Sequence, residues 1–257
     1  MSKKISKISL LHYYKLVGRS ILFLIAIVFY IIGKVNGYGG VLGGMEENIP
    51  FLAVVWVLFV AEMLLRFFPS NNESMGCQKQ FKRNFIKTQY TKPNLPRASG
   101  TLITLASWLA LNGAIAALYF TGIIDEGILI IISLAYSICD MICILFFCPF
   151  QTWFMKNKCC GSCRIYNWDF AMMFTPLAFI IHPYTLSLFG IAMILLAFWE
   201  IALIIHPERF AENTNASLAC ANCKEKLCQH KSQLRGYIRK HKELIHQYMK
   251  EREEHKK

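Results

Sequence analysis

The chain has 257 residues, 55% of them hydrophobic and 17% charged, with a formal net charge of +12. That balance leaves either a soluble domain with a large core or a polytopic membrane protein, and run lengths separate the two. No phosphate-binding glycine loop, serine-centred elbow, H-E-x-x-H helix or nucleic-acid motif is present, which removes those enzyme and binding classes.

The N-terminal segment 1–16, "MSKKISKISLLHYYKL", is basic and amphipathic and is expected to approach a membrane surface. The first long apolar run, 17–35, lacks a small-residue cleavage pattern and reads as a retained span rather than a signal peptide. The glycine-rich stretch "NGYGGVLGG" at 36–44 follows no strand and reads as an external loop. A second run, 50–68, carries Glu62 and Arg66 four residues apart, the spacing of a local ion pair on one helix face. The connection 69–99 is basic and contains Cys77 and an asparagine sequon at Asn72.

Runs 101–124 and 127–147 follow, separated by Asp125 and Glu126. The second of them contains "CDMIC", with Cys139 and Cys143 one helical turn apart and read as packing residues, and Asp140 between them. Segment 148–169 then brings Cys148 and "NKCCGSCRIYNWDF". The fifth run, 170–182, is short and ends at Pro183, so half of a tight helical hairpin with run 184–205 is expected. Glu200 lies in that sixth run. Asp140 and Glu200 have no basic neighbour on their own helices, and charge inside a bilayer is costly, so each is a candidate for proton, cation or catalytic chemistry. His206-Pro207 ends the last run and leads into the tail 206–257, which holds a sequon at Asn215, the "CANC" pair and a basic amphipathic stripe of Leu234, Tyr237, His241, Leu244 and Tyr248. That stripe is expected on an anionic lipid surface, with pairing to a second copy of the chain as a further use.

Orientation follows from the basic residues. Placing the N-terminus in the cytoplasm leaves Lys34 as the one outward-lying member of the 28 lysines and arginines, while Glu46, Glu47, Asp125 and Glu126 face outward. The expected fold is therefore all-α: a six-span transmembrane bundle (17–205) in the plasma (inner) membrane, both termini cytoplasmic, with a cysteine-rich cytoplasmic cap and a C-terminal amphipathic helix. Anionic inner-leaflet lipid is the expected partner of the positive face; nucleic acid is not.

The ten cysteines sort by this topology. None falls outside, which argues against structural disulfides and for metal ligation or thiol chemistry. Two C-x-x-C pairs, Cys160 with Cys163 and Cys220 with Cys223, have the spacing of a tetrahedral thiolate site. Cys159, Cys160, Cys163, Cys220, Cys223 and Cys228 are thus the first-choice metal ligands, with Cys77, Cys148 and His206 second. His182 and His206 fall at opposite faces, which argues against a bis-histidine haem, and His12 has no evident partner. An iron-sulfur cluster is the leading cofactor, since it would use more of the cysteines, and zinc the alternative. The "CCG" of Cys159, Cys160 and Gly161, with a C-x-x-C further on, resembles the cysteine-rich module of heterodisulfide-reductase-type proteins. That resemblance implies an iron-sulfur cluster. The functional expectation is electron transfer or redox sensing with a cytoplasmic redox partner. A transporter or scaffold held by structural zinc is the alternative, and a lipid-modifying membrane enzyme using Asp140, Glu200 and His206 the third.

Overall fold

The computed structural model of the chain describes residues 7–37, 49–70, 77–95, 98–157 and 163–222. Among these the regular structure is helical, with one antiparallel bridge between Lys87 and Asn215. The long helices are α1 (Lys7–Asn36), α2 (Ile49–Leu64), α4 (Ala98–Phe120), α5 (Glu126–Leu145) and α7 (Pro183–Ile205). The short helices are α3 (Cys77–Gln80) and α6 (Asp169–Phe174).

Helices α1, α4, α5 and α7 are long and apolar enough to cross a bilayer. The second apolar run is α2, 16 residues, extended by the 3-10 turn Leu65–Phe67. The fifth differs most from a simple span: it is α-helical only to Phe174 and then 3-10 over Thr175–Phe179. Pro176 is the physical reason, because proline disfavours α geometry in the residue before it and brings no amide to the helix. Pro183 occupies the first turn of α7, and the His182 ring caps that helix by accepting from the Tyr184 amide at 3.4 Å.

The buried face of α1 consists of Ser9, His12, Arg19, Ala26 and Gly33, while Val17, Ile21, Leu24, Val28 and Ile31 are exposed. On α4 the buried residues are Gly100, Thr101, Thr104, Asn112 and Ile115, and Leu102, Ile103, Leu105 and Leu109 are exposed. Small and polar groups inside with aliphatic groups outside is the reverse of a soluble helix and suits a surface solvated by lipid. At Gly100 the contact is so close that a Cβ would lie 2.7 Å from the Phe154 carbonyl oxygen. Gly100→Ala is expected to destabilise the protein by about 1–3 kcal/mol, since backbone must move, and thermal unfolding in detergent measures it.

Helix α5 runs antiparallel to α1. At one end Asp125, the N-cap of α5, accepts from the Ile128 amide at 3.0 Å and meets Tyr30 and Lys34; at the other, the rings of Tyr13 and Phe146 pack edge to face. Burial works to raise the Asp125 carboxyl, and hydrogen bonds from Lys34, the Ile128 amide and Tyr30 outweigh it, holding the group below the usual carboxylate range. The segment 169–179 runs the length of the bundle interior: Phe174 meets Phe59 of α2, Thr175 accepts from the Trp108 indole at 3.3 Å, and Phe179 reaches Phe120 at the far end of α4.

At the end that carries loops 77–95 and 148–157, a cap forms from loop 77–95 and residues 206–222. Asn215 is its keystone and has no exposed surface. Its side-chain amide donates to the carbonyls of Lys79 (3.0 Å) and Arg209 (2.8 Å), while its oxygen accepts from the Ser217 amide (3.1 Å). Across the same seam the Thr88 amide donates to the Thr214 carbonyl, and the Asn213 side chain donates to the Lys92 carbonyl and accepts from the Asn94 amide. The described part of the cap is therefore closed by amide groups. Asn215→Ala would strand several buried partners and is expected to cost about 3 kcal/mol, seen as easier proteolysis within 77–95 at unchanged helix content. The expected tail helix, with Leu234 to Tyr248, and Lys3 and Lys4 of the N-terminal segment lie outside the described residues.

Candidate functional site

The motif that follows the cysteine loop, "RIYNWDF" at 164–170, is used for architecture side chain by side chain. Arg164 grips the Glu200 carboxylate on α7, and the Trp168 indole donates to the same carboxylate at 2.6 Å. The Asn167 amide donates to Gln80 at 2.9 Å, tying the turn to loop 77–95. Asp169 accepts from Arg66 at 2.8 Å, and the Arg66 guanidinium lies over the rings of Phe170 (4.6 Å) and Tyr166 (5.7 Å). These contacts fix the residue just before them, Cys163, which is 2% exposed.

Cys163 forms one wall of a cavity of about 120 Å³. Cys139, which is exposed, and Cys143 line it from α5 and Cys148 from the turn beyond that helix, so four cysteines border one cavity. Cys143 and Cys148 are hydrogen-bonded to each other, and the Cys148 sulfur also accepts from the Gln151 amide at 3.4 Å. Asp140 and Asp169 reach the same cavity. Trp108, Ile144, Met172 and Met173 supply apolar walls. Cys139 and Cys143, read from sequence as packing residues, therefore stand beside two of the expected ligands.

Both carboxylates at the cavity are matched by arginine. Arg19, 6% exposed, donates from one nitrogen to Asp140 (3.2 Å) and to the Ser137 carbonyl (2.9 Å), and from the other to Glu62 (2.9 Å). Lys15 stands 3.6 Å from the second Glu62 oxygen. The expected local pair of Glu62 with Arg66 is corrected by this arrangement: α2 tightens to 3-10 geometry at Leu65, which turns Arg66 off the Glu62 face and toward Asp169. Arg19 went unremarked in the sequence reading, although a lone charge inside an apolar run was the signal for it. His12, also buried, has both ring nitrogens without a hydrogen-bond partner among the described residues.

The remaining candidates scatter. Cys77 is fully buried in the larger aromatic core with Phe59, Met63 and Phe170, whereas Cys163 belongs to the smaller core with Met141, Leu145 and Met155. Cys220 is exposed in a 3-10 turn, and His206 faces Glu208 at 3.2 Å. Cys159, Cys160, Cys223 and Cys228 lie outside the described residues. Among the described residues no three histidine, cysteine or acidic side chains lie close enough to hold a single metal ion. Glu200 is engaged by Arg164 and Trp168, so neither proposed catalytic carboxylate stands alone. Comparison with protein-family models, curated proteins and solved structures returned no match to this chain.

Proposed function

We propose that this chain is a plasma-membrane protein whose cytoplasm-facing thiols hold an iron-sulfur centre used for electron transfer or redox sensing. The observation that carries the reading is the shared cavity of Cys139, Cys143, Cys148 and Cys163. Four cysteines bordering one largely apolar cavity, with no disulfide among the described residues, are what this reading starts from, since thiolates are the ligands a soft metal centre takes.

Six crossings with both termini inside is the topology proposed. The 3-10 extension of α2 and the inward run of 169–179 from the level of Arg66 to that of Phe120 support two crossings beyond the four long helices. The three arginine-carboxylate clusters, buried Arg19 and Arg66 and half-buried Arg164 with their acids, all fall at the end where the sequence concentrates positive charge. Anionic lipid at that face and a cytoplasmic electron partner complete the proposal.

Metal and acid-labile sulfide analysis of protein purified anaerobically in detergent tests it. Iron with sulfide in proportion to protein is the expected result. Zinc in a fixed ratio without sulfide would instead make the thiols a structural clasp in a scaffold or transporter.

A further inference from the structure

A second cavity, of about 130 Å³, lies in the half of the bundle away from the cap, and its lining includes Leu52 near the start of α2 and Tyr184 in the first turn of α7. Helix α1 contributes Leu22 and Ala26, α2 contributes Leu52 and Val55, and the buried Phe174 and Leu177 of the interior segment line the same space, with α5 and α7 at its sides. We propose that this cavity holds an acyl chain of a bilayer phospholipid, which enters between α1 and α2. The site is separate from the metal-centre reading above.

Helix packing explains why space is left there. Helix α1 packs along α5 and α2 along α7, whereas packing between α1 and α2 is sparse among the described residues. The two helices meet toward the capped end, where Arg19 and Lys15 pair with Glu62 and the Arg19 guanidinium lies 5.7 Å over the Phe59 ring. Beyond that clamp the cavity has Leu22 and Ala26 of α1 on its wall together with Leu52 and Val55 of α2. Phe29 on α1 and Val54 and Leu58 on α2 flank these residues and are exposed, part of the surface that suits lipid. The cavity and the bilayer therefore adjoin along this pair of helices.

The chemistry of the wall selects a hydrocarbon. An apolar cavity of about 150 Å³ stays free of water and accepts an apolar guest. Left empty, its lining forfeits dispersion contacts, and a lipid tail is as apolar as the leucines that would receive it. The polar side chains at the wall spend their donors inside the protein. Ser133 donates to the Met173 carbonyl at 2.9 Å, Thr185 to the Ile180 carbonyl at 2.8 Å, and the Trp56 indole to Ser187 at 2.8 Å. With those donors used and no charged residue among the described lining, the cavity recognises a chain and leaves the headgroup at the bilayer surface.

The test uses the full chain reconstituted in phosphatidylcholine vesicles that include a phosphatidylcholine with a photoactivatable diazirine in the middle of one acyl chain. After illumination, peptide mass analysis locates the adducts. They are expected on Phe174, Leu177 or Leu188, buried residues that line the cavity, and also on the exposed Leu102 and Leu109 of α4, which report ordinary bilayer contact. Val55→Trp fills the cavity from α2 and should lose the interior adducts while keeping those on α4. Leu22→Phe fills it from α1 and should do the same, so the comparison survives if one variant fails to fold. Wild-type protein labelled on α4 but at none of the three interior positions would overturn the proposal without any variant. Interior adducts that persist in both variants, with unfolding temperatures no lower than wild type, would overturn it too, as would interior labelling by a diazirine-bearing polyprenyl probe but not by the phospholipid. None of these readouts depends on metal content, so the metal-centre reading holds or fails separately.

Discussion

Asp169→Leu is expected to lower the stability of the folded protein by about 3–5 kcal/mol, among the largest effects of any single substitution in the chain. The reason is the partner left behind. Arg66 is 7% exposed, and without Asp169 its charge stays in the bundle over the faces of Phe170 and Tyr166 with its ion-pair partner gone. Arg66→Met alone should cost a similar amount, because it strands the carboxylate. The double replacement Arg66→Met/Asp169→Leu removes both charges and fills the space with apolar groups, so it should recover much of the loss. Thermal unfolding of all four proteins in one detergent gives the double-mutant cycle; costs that simply add would show that the two side chains act independently.

Arg19→Ala carries the second large effect, again about 3–5 kcal/mol, because one guanidinium serves two carboxylates and a carbonyl. Glu62 would keep only Lys15, at 3.6 Å, and Asp140 would lose its one described ion-pair partner. Lysine should not restore the site, since an ammonium lacks the planar fork that reaches α2 and α5 together. Neutralising the acids should: Arg19→Ala/Glu62→Gln/Asp140→Asn is expected to unfold closer to the wild-type temperature than Arg19→Ala. If the triple variant is the less stable of the two, the arginine is not there to compensate charge.

Much of the architecture was legible because membrane spans are written in run length. Four apolar runs became the helices α1, α4, α5 and α7. The run 170–182 was legible as an anomaly: its brevity and Pro183 were visible, while the 3-10 passage through the interior depends on Pro176 and on packing against Phe59 and Trp108. Long-range pairing was not legible. The i to i+4 rule matched Glu62 with Arg66, but tertiary contacts gave Glu62 to Arg19 and Arg66 to Asp169, residues 43 and 103 positions away. The polar part of "RIYNWDF" drew notice as companion to the cysteines and turned out to clasp α2, α7 and loop 77–95. Asn215 stood out in the sequence only as a sequon, since nothing in one sequence marks an asparagine that will lose all contact with solvent.

The thiols illustrate the same limit. C-x-x-C spacing identifies pairs that can converge locally, and it singled out Cys163 on that ground. It is blind to Cys139 and Cys143, whose place on the same cavity as Cys148 and Cys163 depends on where α5 ends and on how the 163–169 turn is anchored. Of the two carboxylates read as possible catalysts, Asp140 does border the cavity, and its arginine makes it part of the charge balance there.

The central claim, a redox-active centre among thiols at the cytoplasm-facing end, is tested most directly by the visible spectrum of anaerobically purified protein before and after dithionite. A broad charge-transfer absorbance that bleaches on reduction and returns on reoxidation is the predicted result. A colourless protein whose spectrum is unchanged by dithionite, and which stays so after reconstitution with ferrous iron and sulfide, would contradict it.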